Sequence, residues 1–376
     1  MKILLIGEYS NVHATLASAL RTLGHEATVL SNGDFWKDYP RDINLERKPG
    51  KWGGVKYVAR LLRLLPQMRG YDVVHLINPM FLELKAGRIM PVYRYLRRHN
   101  RMVTLGAYGM DWYWVDTCRR KKPLRYSDFN IGDTLREDDD ALREVADWCG
   151  TAKERLNRHI AADCDGVVAG LYEYYVCYQP VFPDKTVHIP YPIDLSSTQG
   201  IDIIEGKRDL TQRPLTIFIG INKKRHTYKG TDVMLAAAQR LHQRYPTLTR
   251  LQVAESVPFA EYSQMMNSSD VILDQLYSYT PSMNSLLAMS KGLICVGGGE
   301  PEHYALIGEK QLRPIINVTP SEQSVYDGLE QLVLHPERIS RLQHQSKEYI
   351  RKHHDHLAVA RHYLDFWEKI ESREQR

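Results

Sequence analysis

The densest chemistry in the sequence lies at residues 220–232, where Asn222, Lys223, Lys224, Arg225 and Lys229 stand between Gly220 and Gly230. An apolar run precedes this stretch and a helix-period segment follows it. A strand-to-helix loop with several cations supplies charge neutralisation and donors to a diphosphate, and arginine meets phosphate oxygens bidentately. Thr231 or Asp232 is placed to N-cap the helix. The plainer alternative is a solvated basic turn. A second cluster starts at Asp274 and runs through a Ser/Pro/Asn turn to Ser282, Met283, Asn284 and Ser285. Backbone amides at a helix start, aided by the helix dipole, form an anion site. With Lys229 they would grip a pyrophosphate without a metal; the alternative is an ordinary capped helix.

Other chemistries are missing. The first strand ends in Gly7-Glu8-Tyr9-Ser10-Asn11 without GxGxxG, and the chain has no GxxxxGK[ST], HExxH or paired CxxC. Dinucleotide, P-loop and zinc sites are therefore not indicated. The run Asp138-Asp139-Asp140 lies in a polar, helix-like segment and reads as a solvated face rather than a metal clamp. Five scattered cysteines form no spacing motif and read as reduced thiols of a cytoplasmic protein.

These loops need a scaffold, and the apolar pattern supplies one. Strand-like runs at 2–7, 26–30, 72–77, 102–105, 166–169 and 188–190 alternate with helix-period segments such as 14–23 and 55–68. Residues 193–213 are polar and aperiodic, which suits a linker. A second series has strands at 215–219, 250–253, 271–274 and 293–296. Its helices fall at 232–244, 283–290, 327–334 and 339–352, and a last helix at 357–370 carries Tyr363, Phe366 and Trp367. Such alternation predicts two α/β domains built on parallel sheets, with ligands outside the carboxyl ends of the strands.

The length of 376 residues suits two domains, and no apolar run approaches the roughly 20 residues that span a bilayer. Charge is uneven. Residues 47–125 carry 18 Lys and Arg against 4 Asp and Glu, whereas residues 126–192 carry 6 against 13. The basic block suits an anionic partner. An anionic membrane surface is preferred to nucleic acid, for which no module is recognisable. Arg94, Arg97, Arg98 and Arg101 share a helical face and read as solvated.

The order of these pieces resembles the large retaining glycosyltransferase group of GT-B fold. Residues 23–29 (LGHEATV) resemble its "GHEV" step and residues 71–75 (YDVVH) its "DVVH". Residues 161–169 (AADCDGVVA) resemble "ADAVIAVS", and residues 188–194 (HIPYPID) resemble "VIPNGVD". In the second half, Phe218-Ile219-Gly220 with Lys229-Gly230 resembles "FVGR…KG". Residues 267–271 (NSSDV) resemble the segment before the nucleotide loop, and residues 288–296 (AMSKGLICV) resemble "EAMACGLPVV". The seven pieces, in order, span nearly the whole chain.

The resemblance implies two Rossmann-like domains facing a central cleft: an acceptor-side domain at 1–192, a nucleotide-sugar domain at 193–353 and a C-terminal helix at 354–376 crossing back to the first. It implies transfer of a sugar from a nucleotide-diphosphate sugar to a glycan or lipid-linked acceptor, with retention and without a metal cofactor. Lys229 would bind the diphosphate with Arg225 or Lys223, Asn222 would lie beside them, and Ser282, Met283, Asn284 and Ser285 would offer helix-start donors. His13 and Asp111 would orient sugar hydroxyls from the acceptor side. Cell-surface polysaccharide or glycolipid synthesis in the cytoplasm, peripheral on the inner leaflet, is the expected setting. The family's paired glutamates are replaced by Tyr279 and Leu287, leaving Asp274, Glu300 and Glu302 as nearby carboxylates. That departure keeps two other readings open: a nucleotide-sugar epimerase of the same fold and a non-catalytic partner protein.

Overall fold

The computed structural model of the chain describes residues 1–196, 213–221, 229–255 and 257–374. Its first half runs β1 (Lys2–Ile6), α1 (Val12–Thr22), β2 (Glu26–Ser31), β3 (Ile43–Asn44), α2 (Gly53–Leu64), β4 (Val73–Leu76), α3 (Ala86–His99) and β5 (Met102–Ala107). Then come α4 (Trp112–Arg120), β6 (Asn130–Ile131), β7 (Thr134–Leu135), α5 (Asp139–Trp148), α6 (Ala152–Asp163), β8 (Gly166–Ala169), α7 (Tyr172–Tyr178) and β9 (Thr186–His188). The second half has β10 (Leu215–Ile221), α8 (Thr231–Arg244), β11 (Thr249–Glu255), α9 (Phe259–Asn267), β12 (Val271–Asp274), α10 (Met283–Ser290) and β13 (Ile294–Gly297). It closes with α11 (Pro301–Leu306), β14 (Ile316–Asn317), α12 (Glu322–Leu334), α13 (Glu337–His353) and α14 (His356–Glu374).

The chain divides into two compact units. Unit 1 comprises Met1–Thr117, Glu144–Pro192 and His356–Arg376; unit 2 comprises Cys118–Arg143 and Ile193–Asp355. The sequence expectation of a first domain at 1–192 thus needs a correction. Residues 118–143 belong to unit 2, because Arg125, Tyr126 and Arg136 find their partners there.

Unit 1 is built on a seven-stranded sheet of order β3-β2-β1-β4-β5-β8-β9 with every pairing parallel. Strands covered on both faces must be apolar throughout, and four of the five residues of β1 are buried. Strand order reverses between β1 and β4, which makes the space above their carboxyl ends the switch point of this sheet. Helix α14 packs on α1 and buries Tyr363 and Trp367, the latter completely. Truncating Trp367 to alanine would cost unit 1 on the order of 3–5 kcal/mol. The basic face of α3 is not simply solvated: Arg97 bonds Asp165 at 2.5 Å and Asp163 at 3.2 Å, and Arg101 pairs with Glu371.

Unit 2 has a five-stranded parallel sheet of order β11-β10-β12-β13-β14, whose switch point lies between β10 and β12. Its core packs Ile217, Ile219, Leu273 and Val296 against Met234 and Leu241 of α8 and Leu329 of α12. No helix among the described residues is long and apolar enough to cross a membrane. The expected strand at 188–190 lies two residues earlier, as β9, and most of the expected linker lies outside the described residues.

Candidate functional site

The site is built at the switch point of unit 2. Past β10, Lys229 leads into α8 through Gly230, which sits at φ 68° and serves as the N-cap. Neither Thr231 nor Asp232 takes that place, a correction to the sequence expectation. Only glycine suits position 230: its φ is positive, and a Cβ there would stand 2.6 Å from the Leu276 Cβ. The Leu276 amide donates to the Lys229 carbonyl at 2.9 Å, joining this turn to the loop that leaves β12. Asn222, Lys223 and Arg225 lie outside the described residues.

β12 delivers Asp274, whose Oδ2 accepts the hydroxyls of Ser282 at 2.6 Å and Ser285 at 2.9 Å. Its Oδ1 lies 3.8 Å from Lys229 Nζ, a loose pair that holds the ammonium close to the start of α10. Ser282 precedes α10, yet its hydroxyl turns to Asp274 and no side chain caps the helix. The first amides of α10, at Met283 and Asn284, therefore have no acceptor among the described residues, and these residues are half-buried. Asn284 is fixed by the Tyr262 hydroxyl, which donates to its Oδ1 at 2.9 Å. The structure thus brings Lys229, Asp274, Ser282, Met283, Asn284 and Ser285 into one place, with a cation, a helix start and a carboxylate that orients both.

The two positions expected to be acidic are differently filled. Tyr279 is buried, and its hydroxyl accepts the Arg125 amide at 2.7 Å. Arg125 reaches Glu300 at 2.6 Å and also pairs with Glu302, while the Tyr126 hydroxyl donates to Glu300. The side-chain bonds to Arg125 hold the Glu302 carboxyl below its usual range. The Arg136 guanidinium lies 3.8 Å from the centre of the Tyr277 ring. All three carboxylates near the motif are therefore engaged: Asp274 by the serines, Glu300 and Glu302 by residues of the 118–143 segment. Close packing here needs small residues, since a Cβ on Gly298 would stand 2.1 Å from the Ser278 carbonyl. The Gly297–Gly298–Gly299 run could have signalled this approach; Arg125 and Tyr126 carried no signal.

In unit 1, His13 and Asp111, expected to orient sugar hydroxyls, both lie inside the core. His13 is fully buried, its Nδ1 donates to the Gly7 carbonyl at 2.8 Å, and burial lowers it to about 3, so the ring is neutral. Asp111 is fully buried as well. It accepts the Trp114 amide at 2.9 Å at the start of α4 and the Tyr178 hydroxyl at 2.6 Å. Burial raises its carboxyl to about 6, opposed by those bonds. Both residues fix loops from within the core. Sequence reasoning missed Glu8, whose carboxylate accepts the amides of His13 at 3.2 Å and Ala14 at 2.9 Å and so caps α1.

No family model matches the chain, and no curated protein matches it in sequence. Solved structures do match in fold. Sucrose-phosphate synthase from Thermosynechococcus elongatus is 12% identical, covering 99% of this chain and all of its own, with a TM-score of 0.62. HepE from Anabaena, solved with UDP and glucose, is 13% identical over 97% of this chain and 98% of its own, with a TM-score of 0.59. The UDP-GlcNAc 2-epimerase from Neisseria meningitidis, solved with UDP-GlcNAc, is 13% identical over 94% and 99%, with a TM-score of 0.52. At such identities the likeness is one of fold, and the fold is GT-B: two Rossmann-like α/β units in one chain.

Proposed function

We propose that the chain is a glycosyltransferase that moves a sugar from a nucleotide-diphosphate sugar, held by unit 2, to a glycan or lipid-linked acceptor taken by unit 1. The observation that carries this reading is the uncapped start of α10 beside Lys229. Transfer from such a donor passes through an oxocarbenium-like state while a diphosphate departs. Donors aimed at the charge that develops are the largest single source of rate in such sites, each worth roughly 10²–10³-fold. Lys229 and the Met283 and Asn284 amides supply that stabilisation without a metal. Asp274 acts as a positioning residue, fixing Ser282, Ser285 and the lysine. HepE has been solved with UDP-glucose, which supports a nucleotide-sugar donor here. Retention at the anomeric carbon and a place in cell-surface polysaccharide or glycolipid synthesis complete the proposal.

Helix α2 supports a membrane setting for the acceptor. Residues 47–71 hold seven cations and no acid. Trp52, at the start of this helix, is 70% exposed, and Val55 and Leu62 are exposed among Lys56, Arg60 and Arg63. A cationic helix with apolar side chains outward suits the surface of an anionic leaflet. We place the protein in the cytoplasm, peripheral on the inner leaflet. Co-sedimentation with anionic vesicles at low salt tests this: Trp52→Ser should reduce it, and absence of any binding would refute it.

A panel of nucleotide-sugars tests the reaction. Release of free nucleotide supports transfer. A changed sugar on an intact nucleotide would instead identify an epimerase, the reading favoured by the likeness to UDP-GlcNAc 2-epimerase. Binding without turnover would identify a non-catalytic partner, the reading favoured by the engagement of Glu300 and Glu302. Thermal shifts with UDP, GDP, ADP and CMP would name the base, because a ligand of the native state raises the melting point by mass action.

A further inference from the structure

Unit 1 carries an open cavity of about 600 Å³ that the site above does not use. It lies at the carboxyl ends of the strands. Arg47 comes three residues after β3, Met80, Leu84 and Lys85 follow β4, and Ala152 and Lys153 begin α6. Helices that lead down into β5 and β8 must start on this edge, so α3 and α6 both point their first turns at the cavity. This is where ligands of parallel sheets bind.

The charges are unevenly matched. Lys153 pairs with Asp147, and the Glu83 carboxylate accepts the Arg47 backbone amide at 2.8 Å. The Arg47 guanidinium and the Lys85 ammonium are exposed and enter no ion pair among the described residues. Lys85 is also the N-cap of α3, and no side chain caps that helix. Gly87, in its first turn, is exposed and has open space where a side chain would stand, so no side chain at that position screens its amide. Met80, Leu84 and Ala152 add apolar side chains to the cavity lining. At α1 the corresponding donors are already taken by Glu8. An anion entering unit 1 at this edge has α3 to meet instead.

We infer that this cavity binds a phosphate ester, with the phosphate between Arg47, Lys85 and the first amides of α3 and the organic remainder against Met80 and Leu84. A guanidinium meets phosphate through two parallel bonds, and an ammonium adds a compact charge. The acceptor is then a phosphorylated one. This identity rests on the transfer reading; phosphate binding itself does not. The ester is either a free sugar or polyol phosphate or the headgroup of a lipid. The lipid source is geometrically at hand, since the Arg47 guanidinium lies 3.3 Å from the Cβ position of Gly54 in α2.

The test is calorimetric titration of the full chain with glycerol 3-phosphate, in parallel with co-sedimentation on phosphatidylcholine vesicles containing phosphatidate. Four proteins are compared: wild type, Arg47→Ala/Lys85→Ala, Leu84→Trp and Lys229→Ala. The inference expects binding that weakens about tenfold or more in the first two variants and is unchanged in Lys229→Ala. Because Arg47 and Lys85 are exposed, their loss leaves the fold intact even if Leu84→Trp does not. Binding of glycerol 3-phosphate assigns the free ester. Binding of phosphatidate vesicles alone, lost on Arg47→Ala/Lys85→Ala, assigns the lipid. Equal binding by wild type and Arg47→Ala/Lys85→Ala in both arms, or no binding in either, overturns the site. Donor turnover is measured separately, so failure here leaves the transfer reading standing, and failure of turnover leaves the phosphate site standing.

Discussion

Helices α1 and α10 each begin just past a strand that borders the switch point of a parallel sheet, yet their first amides meet different fates. At α1 the chain supplies its own acceptor: Glu8 takes the His13 and Ala14 amides, and the Tyr9 carbonyl takes that of Val12. The loop bends tightly to do so, with Ser10 at φ 51° and Asn11 at φ 70°, conformations that are uncommon outside glycine. At α10 the nearest side chain, Ser282, is drawn off by Asp274 and the donors stay open beside Lys229. Equivalent topology therefore does not give equivalent chemistry. One carboxyl group placed four residues before a helix closes an anion site, and one placed to compete for the capping serine opens it.

The comparison breaks most readily at the open end. Lys229→Ala should lower donor turnover by about 100-fold, the loss typical of removing one group that stabilises leaving-group charge. Steady-state nucleotide release measures it, and a wild-type rate would dismiss the proposed diphosphate site. Met283→Pro is a finer probe. Proline is accepted at the first helical position, and Ser282 already has the extended backbone (φ −83°, ψ 175°) that a following proline requires. The variant removes a single N–H, so nucleoside-diphosphate affinity should fall roughly tenfold with the fold unchanged. Unaltered affinity would mean that the amide meets no phosphate.

The closed end is sharpened by pH. Burial raises the Glu8 carboxyl to about 8. Between about pH 5 and 8 the native state keeps a proton that the unfolded chain has released, so this group makes stability fall as pH rises across that window. The slope is at most about 1.4 kcal/mol per pH unit. Glu8→Gln should flatten it, read by urea denaturation at both ends of the window, and an unchanged slope would place the titration elsewhere. His13 titrates with the opposite sign, toward about pH 3, and is common to both proteins. The smallest effect concerns the segment fastened to unit 2. Arg125→Ala leaves the buried Glu300 with Tyr126 as a side-chain donor, and should cost about 1 kcal/mol, because the arginine is more than half exposed. Denaturant midpoints measure it; no change would make that ion pair incidental.

The alternation of strands and helices was legible because parallel strands buried on both faces need unbroken apolar runs, and such runs are visible in a sequence. Lys229-Gly230 and Ser282–Asn284 were legible for a related reason: loop residues between strong elements are chosen for chemistry or for turn geometry. The fate of Glu8 was not, since nothing in its neighbours distinguishes a helix cap from a solvated loop carboxylate. The burial of Asp111 was not legible for the same reason, because a buried cap and an exposed ligand have the same local sequence.

The sequence by itself determined the two parallel sheets, the order of their strands and helices, and the chemistry available at their carboxyl edges, because these follow from local periodicity and residue type. Only the tertiary structure decided which of those groups remain free. Arg125 meets Glu300 across 175 positions, Arg97 meets Asp165 across 68, and residues 118–143 join the unit that holds their partners. Each is a pairing between charges distant along the chain, and its energy depends on approach and burial that no local pattern encodes. The open start of α10 is the same kind of outcome: the serine, the aspartate and the helix are written in the sequence, but the direction of one hydroxyl is set by where β12 delivers its last residue.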